Sequence, residues 1–137
     1  MPTPPLRLLI VDDDVVLRDT LPILLEADDR ELVVCATAED ALARHQAQPF
    51  DVVLTDVSLG GTSGLVLAQA VLAADPDAWV VLVSGYTLDP AARRLGPNVR
   101  LVQKPFEAAR IEAVLAERAE QVGQAAPSDR ATGQARA

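Results

Sequence analysis

The sequence predicts an α/β fold: a five-stranded parallel sheet, doubly wound, with helices on both of its faces. Three observations carry that expectation. Short apolar runs alternate five times with stretches of helical periodicity, which is the pattern of strands joined by helical crossovers. No hairpin signal links one apolar run to the next, so the strands are expected to run parallel through right-handed connections. Half of the residues are apolar but only 3% are aromatic, so the core must be made of Val, Leu, Ile and Ala, a mix suited to strands buried on both faces. At 137 residues the chain has room for one domain of this kind, since such domains hold roughly 100 to 150 residues around one core.

The first strand is Arg7 to Val11, an apolar run that stops abruptly at Asp12-Asp13-Asp14. A helix follows, with Leu17, Leu21, Leu24 and Leu25 assigned to one face; Pro22 lies inside it and is expected to kink it or strip one backbone bond. Glu31 to Ala36 is the second strand. Ala38 to Gln48 is the second helix, begun by Thr37 or Ala38 and closed by Pro49. Asp51 to Thr55 forms a third strand that also runs into an aspartate, Asp56. The glycine-rich stretch from Gly60 to Gly64 leads into a helix carrying Leu65, Leu67, Ala68, Val71 and Leu72, broken by Asp75-Pro76-Asp77. Trp79 to Val83 is the fourth strand, with Trp79 expected to pack. After Ser84-Gly85-Tyr86 comes a short helical piece from Asp89 to Leu95, then a fifth strand from Val99 to Val102. Phe106 to about Gln121 is the last helix; Ile111, Val114 and Leu115 face inward, while Glu112, Glu117, Arg118 and Glu120 are expected outside.

The domain is expected to span residues 6–122, with a disordered lead-in over 1–5 and a disordered tail over 123–137, where Gly, Ala, Gln, Ser and Arg appear without apolar periodicity. The net charge of −8 repels a phosphate backbone and argues against nucleic acid as a direct partner. No apolar run approaches the roughly 18 residues of a membrane helix, and Met1-Pro2-Thr3-Pro4-Pro5 lacks the features of a secretion signal. A cytoplasmic location follows as the expectation. Cys35 lies in an apolar run and reads as a buried thiol. His45, the single histidine, falls on a polar helix face and is expected at the surface.

The chemistry is expected at one edge. Asp12 and Asp13 follow strand one, Asp56 follows strand three, Ser84 follows strand four and Lys104 follows strand five. A parallel sheet brings such carboxyl ends together, where open sheets of this kind bind ligands. Asp14 has a simpler use as the cap of the first helix. Three converging carboxylates repel one another and need a cation, and an all-oxygen donor set suits a hard divalent ion such as Mg²⁺. In that setting the Asp56 carboxylate can attack a phosphorus atom in line, Lys104 can neutralise phosphoryl oxygens, and the Ser84 hydroxyl can donate to the phosphoryl group.

These residues carry a resemblance. Val11-Asp12-Asp13, Asp56, Ser84 and Lys104-Pro105-Phe106 look like the motif set of response-regulator receiver domains of two-component signal transduction, from about Leu6 to Gln121. The resemblance implies a flavodoxin-like sheet of strand order 2-1-3-4-5. It also implies Mg²⁺ held by Asp12, Asp13, Asp56 and the backbone carbonyl of Ser58. Asp56 would accept a phosphoryl group from a histidine kinase or histidine phosphotransfer protein, with Ser84 as switch hydroxyl and Lys104 on the phosphoryl group. A phosphoacceptor switch, rather than an enzyme acting on a separate substrate, is implied. With no output domain after the receiver, the signal would pass to a downstream protein target. The chain departs from the family in three places: Leu101 stands where an aromatic switch residue is usual, with Tyr86 a candidate substitute; Gly60 stands where proline is frequent; and the stretch from Ser84 to Lys104 is short.

Two other readings compete. A receiver-like module could bind proteins without phosphorylation, which suits Leu101 but not the costly carboxylate cluster. A haloacid-dehalogenase-like phosphatase would use Asp12 as nucleophile and Asp14 as acid/base, but it needs a further acidic pair after Lys104, and Asp129 is the only later aspartate. A dinucleotide-binding fold is weaker, because Gly60, Gly61 and Gly64 neither follow strand one nor have the required spacing.

Overall fold

The computed structural model describes residues 5–59, 62–85, 92 and 95–124, with the side chains of 62, 123 and 124 excepted. Five strands form one parallel sheet: β1 (Leu6–Val11), β2 (Arg30–Cys35), β3 (Val52–Asp56), β6 (Trp79–Ser84) and β7 (Val99–Gln103). Their spatial order is β2-β1-β3-β6-β7, which is the expected 2-1-3-4-5 once only the strands of the main sheet are numbered. Strand alternation then decides which face each residue covers. In β1, Leu9 and Val11 join one core with Val53, Val80 and Leu82, while Leu8 and Ile10 join the other with Leu54, Val81 and Val83.

Helices α2 (Ala38–Ala47) and α3 (Gly64–Ala74) cover the first face. Helices α1 (Val15–Leu25) and α4 (Ala108–Gln124) cover the second, through Leu21, Leu25, Ile111 and Leu115. Asp14 caps α1 by accepting from the Val16 N–H at 2.9 Å, and Thr37 caps α2 by accepting from the Asp40 N–H at 3.2 Å. Helix α1 continues through Pro22, whose missing N–H leaves the Arg18 carbonyl without its intrahelical donor. Leu24 is 54% exposed and does not share the buried face. That face drifts round the helix towards Leu21 and Leu25, because steps of four residues overshoot a full turn.

Four further expectations are corrected. A two-stranded antiparallel ribbon, β4 (Ser58–Leu59) with β5 (Thr62–Ser63), follows β3, where no hairpin was expected; strands of two residues are too short to show periodicity. His45 is buried at 1% exposure, not at the surface. Its Nδ1 accepts from the Phe50 N–H at 3.1 Å, and its Nε2 lies 3.4 Å from Asp75 Oδ2 at the end of α3. Helix α4 starts after Phe106 and reaches Gln124, two residues into the expected tail. Glu112 and Arg118 are only half-exposed: Glu112 takes both Arg30 guanidinium nitrogens, and Arg118 lies over the Trp79 ring, 5.5 Å from its centroid.

Cys35 and Trp79 are buried as expected. Most of the expected helical piece over 89–95, and all of the expected tail beyond 124, lie outside the described residues. Among the described residues no helix is long and apolar enough to cross a membrane.

Candidate functional site

The carboxyl ends of β1, β3, β6 and β7 bring the predicted residues to one edge. Asp12 directly follows β1 and is anchored by its own N–H, which donates to the Cys35 carbonyl at 3.1 Å. Its Oδ1 accepts from the Asp14 N–H at 2.9 Å, which closes the turn from strand to helix and fixes the carboxylate. Asp56 is the last residue of β3. Its Oδ1 accepts from the Ser58 N–H at 3.2 Å, and its Oδ2 accepts from Lys104 Nζ at 3.1 Å. The same ammonium lies 3.9 Å from Asp12 Oδ2.

Ligand oxygens of Asp12, Asp13 and Asp56 all lie within 4.8 Å of one another. Asp12 is buried, Asp56 half-buried and Asp13 exposed, so the cluster opens to solvent on the Asp13 side. Burial pushes the Asp12 carboxyl above its usual range; the Asp14 N–H and Lys104 pull it down, and the charges of Asp56 and Asp13 add to the rise. One ammonium against three carboxylates leaves a surplus of negative charge. An all-oxygen donor set of this kind fits a hard divalent cation.

Ser84 is buried at the end of β6, one residue beyond Val83, the register partner of Asp56. Its carbonyl accepts from the Lys104 N–H at 2.6 Å, which ties the ends of β6 and β7 together. Ser58 reaches the cluster with its N–H and is otherwise exposed at the start of β4. Leu101 is half-buried and packs against the core of the α2/α3 face. Tyr86 lies outside the described residues.

Two contributors escaped the sequence reading. Thr55, fully buried, donates its Oγ1–H to the Asp56 carbonyl at 2.9 Å. Gly64, the first residue of α3, is so close behind Asp56 that a Cβ built there would overlap the Asp56 carbonyl oxygen. A threonine inside a strand and a glycine after a loop are too ordinary in sequence to have signalled either contact.

Fold and edge cluster together define the class: a doubly wound parallel sheet with an acidic site and one lysine at its carboxyl edge. The model of the response regulator receiver domain family matches residues 8–116, and the chain belongs to that family. A receiver domain solved from Methylobacillus flagellatus, described as CheY-like, is 28% identical, with a TM-score of 0.74 over 83% of this chain and 98% of that one. A response regulator from Burkholderia pseudomallei, solved with a phosphorylated aspartic acid, a calcium ion and citrate, is 28% identical with a TM-score of 0.72, covering 86% of this chain and 71% of that one. The C4-dicarboxylate transport transcriptional regulatory protein DctD of Rhizobium meliloti is 33% identical over 104 residues, 74% of this chain. The present chain spans only 23% of that relative's length.

Proposed function

We propose that the chain works as a phosphorylation-dependent switch in the cytoplasm, accepting a phosphoryl group on Asp56 from a histidine kinase or histidine phosphotransfer protein in a Mg²⁺-dependent reaction. The observation that carries the reading is the grouping of Asp12, Asp13 and Asp56 around an opening that Lys104 flanks, 3.1 Å from Asp56 and 3.9 Å from Asp12. The phosphorylated aspartate and calcium ion of the Burkholderia pseudomallei relative support it by likeness. Asp12, Asp13 and Asp56, with the Ser58 carbonyl, are the residues that would hold Mg²⁺. When bound, the ion offsets the charge of the carboxylates and of the incoming phosphoryl oxygens.

In the reaction an Asp56 carboxylate oxygen forms a bond to phosphorus while the phosphorus–nitrogen bond of the donor phosphohistidine breaks. The imidazole leaves with the electron pair and takes a proton from solvent. Lys104 neutralises a phosphoryl oxygen, and the Ser84 hydroxyl donates to the group once it is in place. Because the Ser84 carbonyl is already tied to the Lys104 N–H, a pull on Ser84 is shared by both strand ends, and this shared response would alter binding of a downstream protein.

The test is intact-mass spectrometry after incubation with acetyl phosphate, with and without Mg²⁺. A Mg²⁺-dependent phosphoryl adduct is expected on the wild type and none on Asp56→Asn, which should keep the fold. An adduct that survives in Asp56→Asn would refute the assignment. A folded, Mg²⁺-binding wild type that takes no label would favour the phosphorylation-independent binding module, to which Leu101 already leans.

A further inference from the structure

We propose that Gly64 is a positioning residue for the phosphoacceptor, a role that rests on the reading of Asp56 above. Gly64 opens α3 and is buried there. Its N–H donates to the Val57 carbonyl at 2.7 Å. A Cβ at this position would overlap the Asp56 carbonyl oxygen and lie 3.0 Å from both the Asp56 carbonyl carbon and the Val57 Cα. Among the described residues no glycine has a positive φ, so backbone conformation does not call for glycine here. Helix stability does not call for it either, since alanine is the better helix former. The requirement is the space that the Asp56–Val57 peptide occupies.

That peptide is held by three hydrogen bonds. The Asp56 carbonyl accepts from Thr55 Oγ1 at 2.9 Å, the Val57 N–H donates to the Val83 carbonyl at 2.9 Å, and the Val57 carbonyl takes the Gly64 N–H. A side chain at 64 must therefore push α3 away and break its bond to Val57, or turn the Asp56 peptide against its neighbours. The second movement carries the Asp56 carboxylate out of line with Lys104, Asp12 and Asp13. A displacement near 1 Å costs roughly a hundredfold in a reaction that depends on alignment. The absence of a side chain at 64 thus sets where the attacking oxygen stands.

The experiment compares Gly64→Ala with wild type and with His45→Gln, a variant at the opposite edge of the sheet that should lower stability without touching the site. Acetyl phosphate labelling is followed by intact mass at saturating Mg²⁺, well below each melting temperature, and expressed per folded molecule. Positioning predicts labelling slowed roughly a hundredfold in Gly64→Ala and unchanged in His45→Gln. Folded Gly64→Ala that labels at the wild-type rate overturns the inference while leaving the Asp56 reading intact. Equal slowing in both variants assigns Gly64 a structural role only and overturns it too. If Gly64→Ala does not fold, the wild-type Gly64 amide resonance decides: it is expected to shift on labelling, and an unmoved resonance overturns the inference. A wild type that takes no label sinks the Asp56 reading, and this one with it.

Discussion

Lys104 is the one cation placed against the acidic cluster among the described residues, and its Nζ divides its attention between Asp56 Oδ2 at 3.1 Å and Asp12 Oδ2 at 3.9 Å. Replacing it with alanine removes a donor aimed at developing phosphoryl charge, and losses of about a hundredfold are usual for such donors. Lys104→Ala is therefore expected to keep Mg²⁺ binding, measured by calorimetry, while acetyl phosphate labelling slows by about that factor. Unchanged labelling would remove Lys104 from the chemistry. The five polar residues gathered at this edge were legible in the sequence because each lies at, or within a few residues of, the end of an apolar run, and a parallel sheet sends all such ends to one edge. What the sequence could not show is how Asp12 divides its two oxygens, one held by the Asp14 N–H and the other turned towards Lys104. That division arises from the turn's geometry and not from residue type.

Among the elements, α2 and α3 are joined at the end of the molecule away from the site. His45 is sealed between the Phe50 N–H and Asp75, with the Arg7 guanidinium over the Phe50 ring, 4.3 Å from its centroid. Burial holds His45 below its usual range, against the opposing pull of Asp75. The folded state thus keeps the imidazole neutral where the unfolded chain already protonates it. Below about pH 6.5 the unfolded state binds the extra proton, so stability should fall as pH drops through that value, by at most about 1.4 kcal/mol per pH unit. His45→Gln should flatten this slope in thermal melts and cost about 1–3 kcal/mol through the disturbed bond to Phe50; an equally steep slope in the variant would place the titrating group elsewhere. The surface expectation for His45 failed because Arg44, Gln46 and Gln48 surround it in sequence, whereas its burial comes from Asp75, far along the chain. The five main strands and four helices were legible because strands buried on both faces stand out as short unbroken apolar runs, while the helices keep their 3.6-residue period. On α1, Val15, Val16 and Ile23 are 56%, 65% and 73% exposed, beginning just after Asp14. A protein donor needs surface near Asp56 to dock, whereas acetyl phosphate does not. Val16→Asp is expected to slow transfer from a phosphohistidine protein at least tenfold and leave acetyl phosphate labelling unchanged, and parallel slowing of both would move the effect into the site.

For the whole molecule, two cores share one sheet, and the site at its edge carries a charge surplus that folding must tolerate. A ligand that binds only the folded state stabilises it in proportion to its occupancy, so Mg²⁺ at ten times its dissociation constant should add about 1.4 kcal/mol and raise the melting temperature. Asp13→Ala should blunt that rise in differential scanning calorimetry. A wild type whose melting temperature ignores Mg²⁺ would count against the three carboxylates as a cation site. The buried Cys35 has a practical consequence of a different sort. It is the chain's single cysteine, 3% exposed, and burial pushes its thiol up to about 11, so at neutral pH it offers maleimide reagents almost no thiolate. A cysteine introduced at the exposed Val66 of α3 would then take a dye selectively on an otherwise unaltered chain, and a fluorophore on the helix that abuts Asp56 could follow the switch in real time.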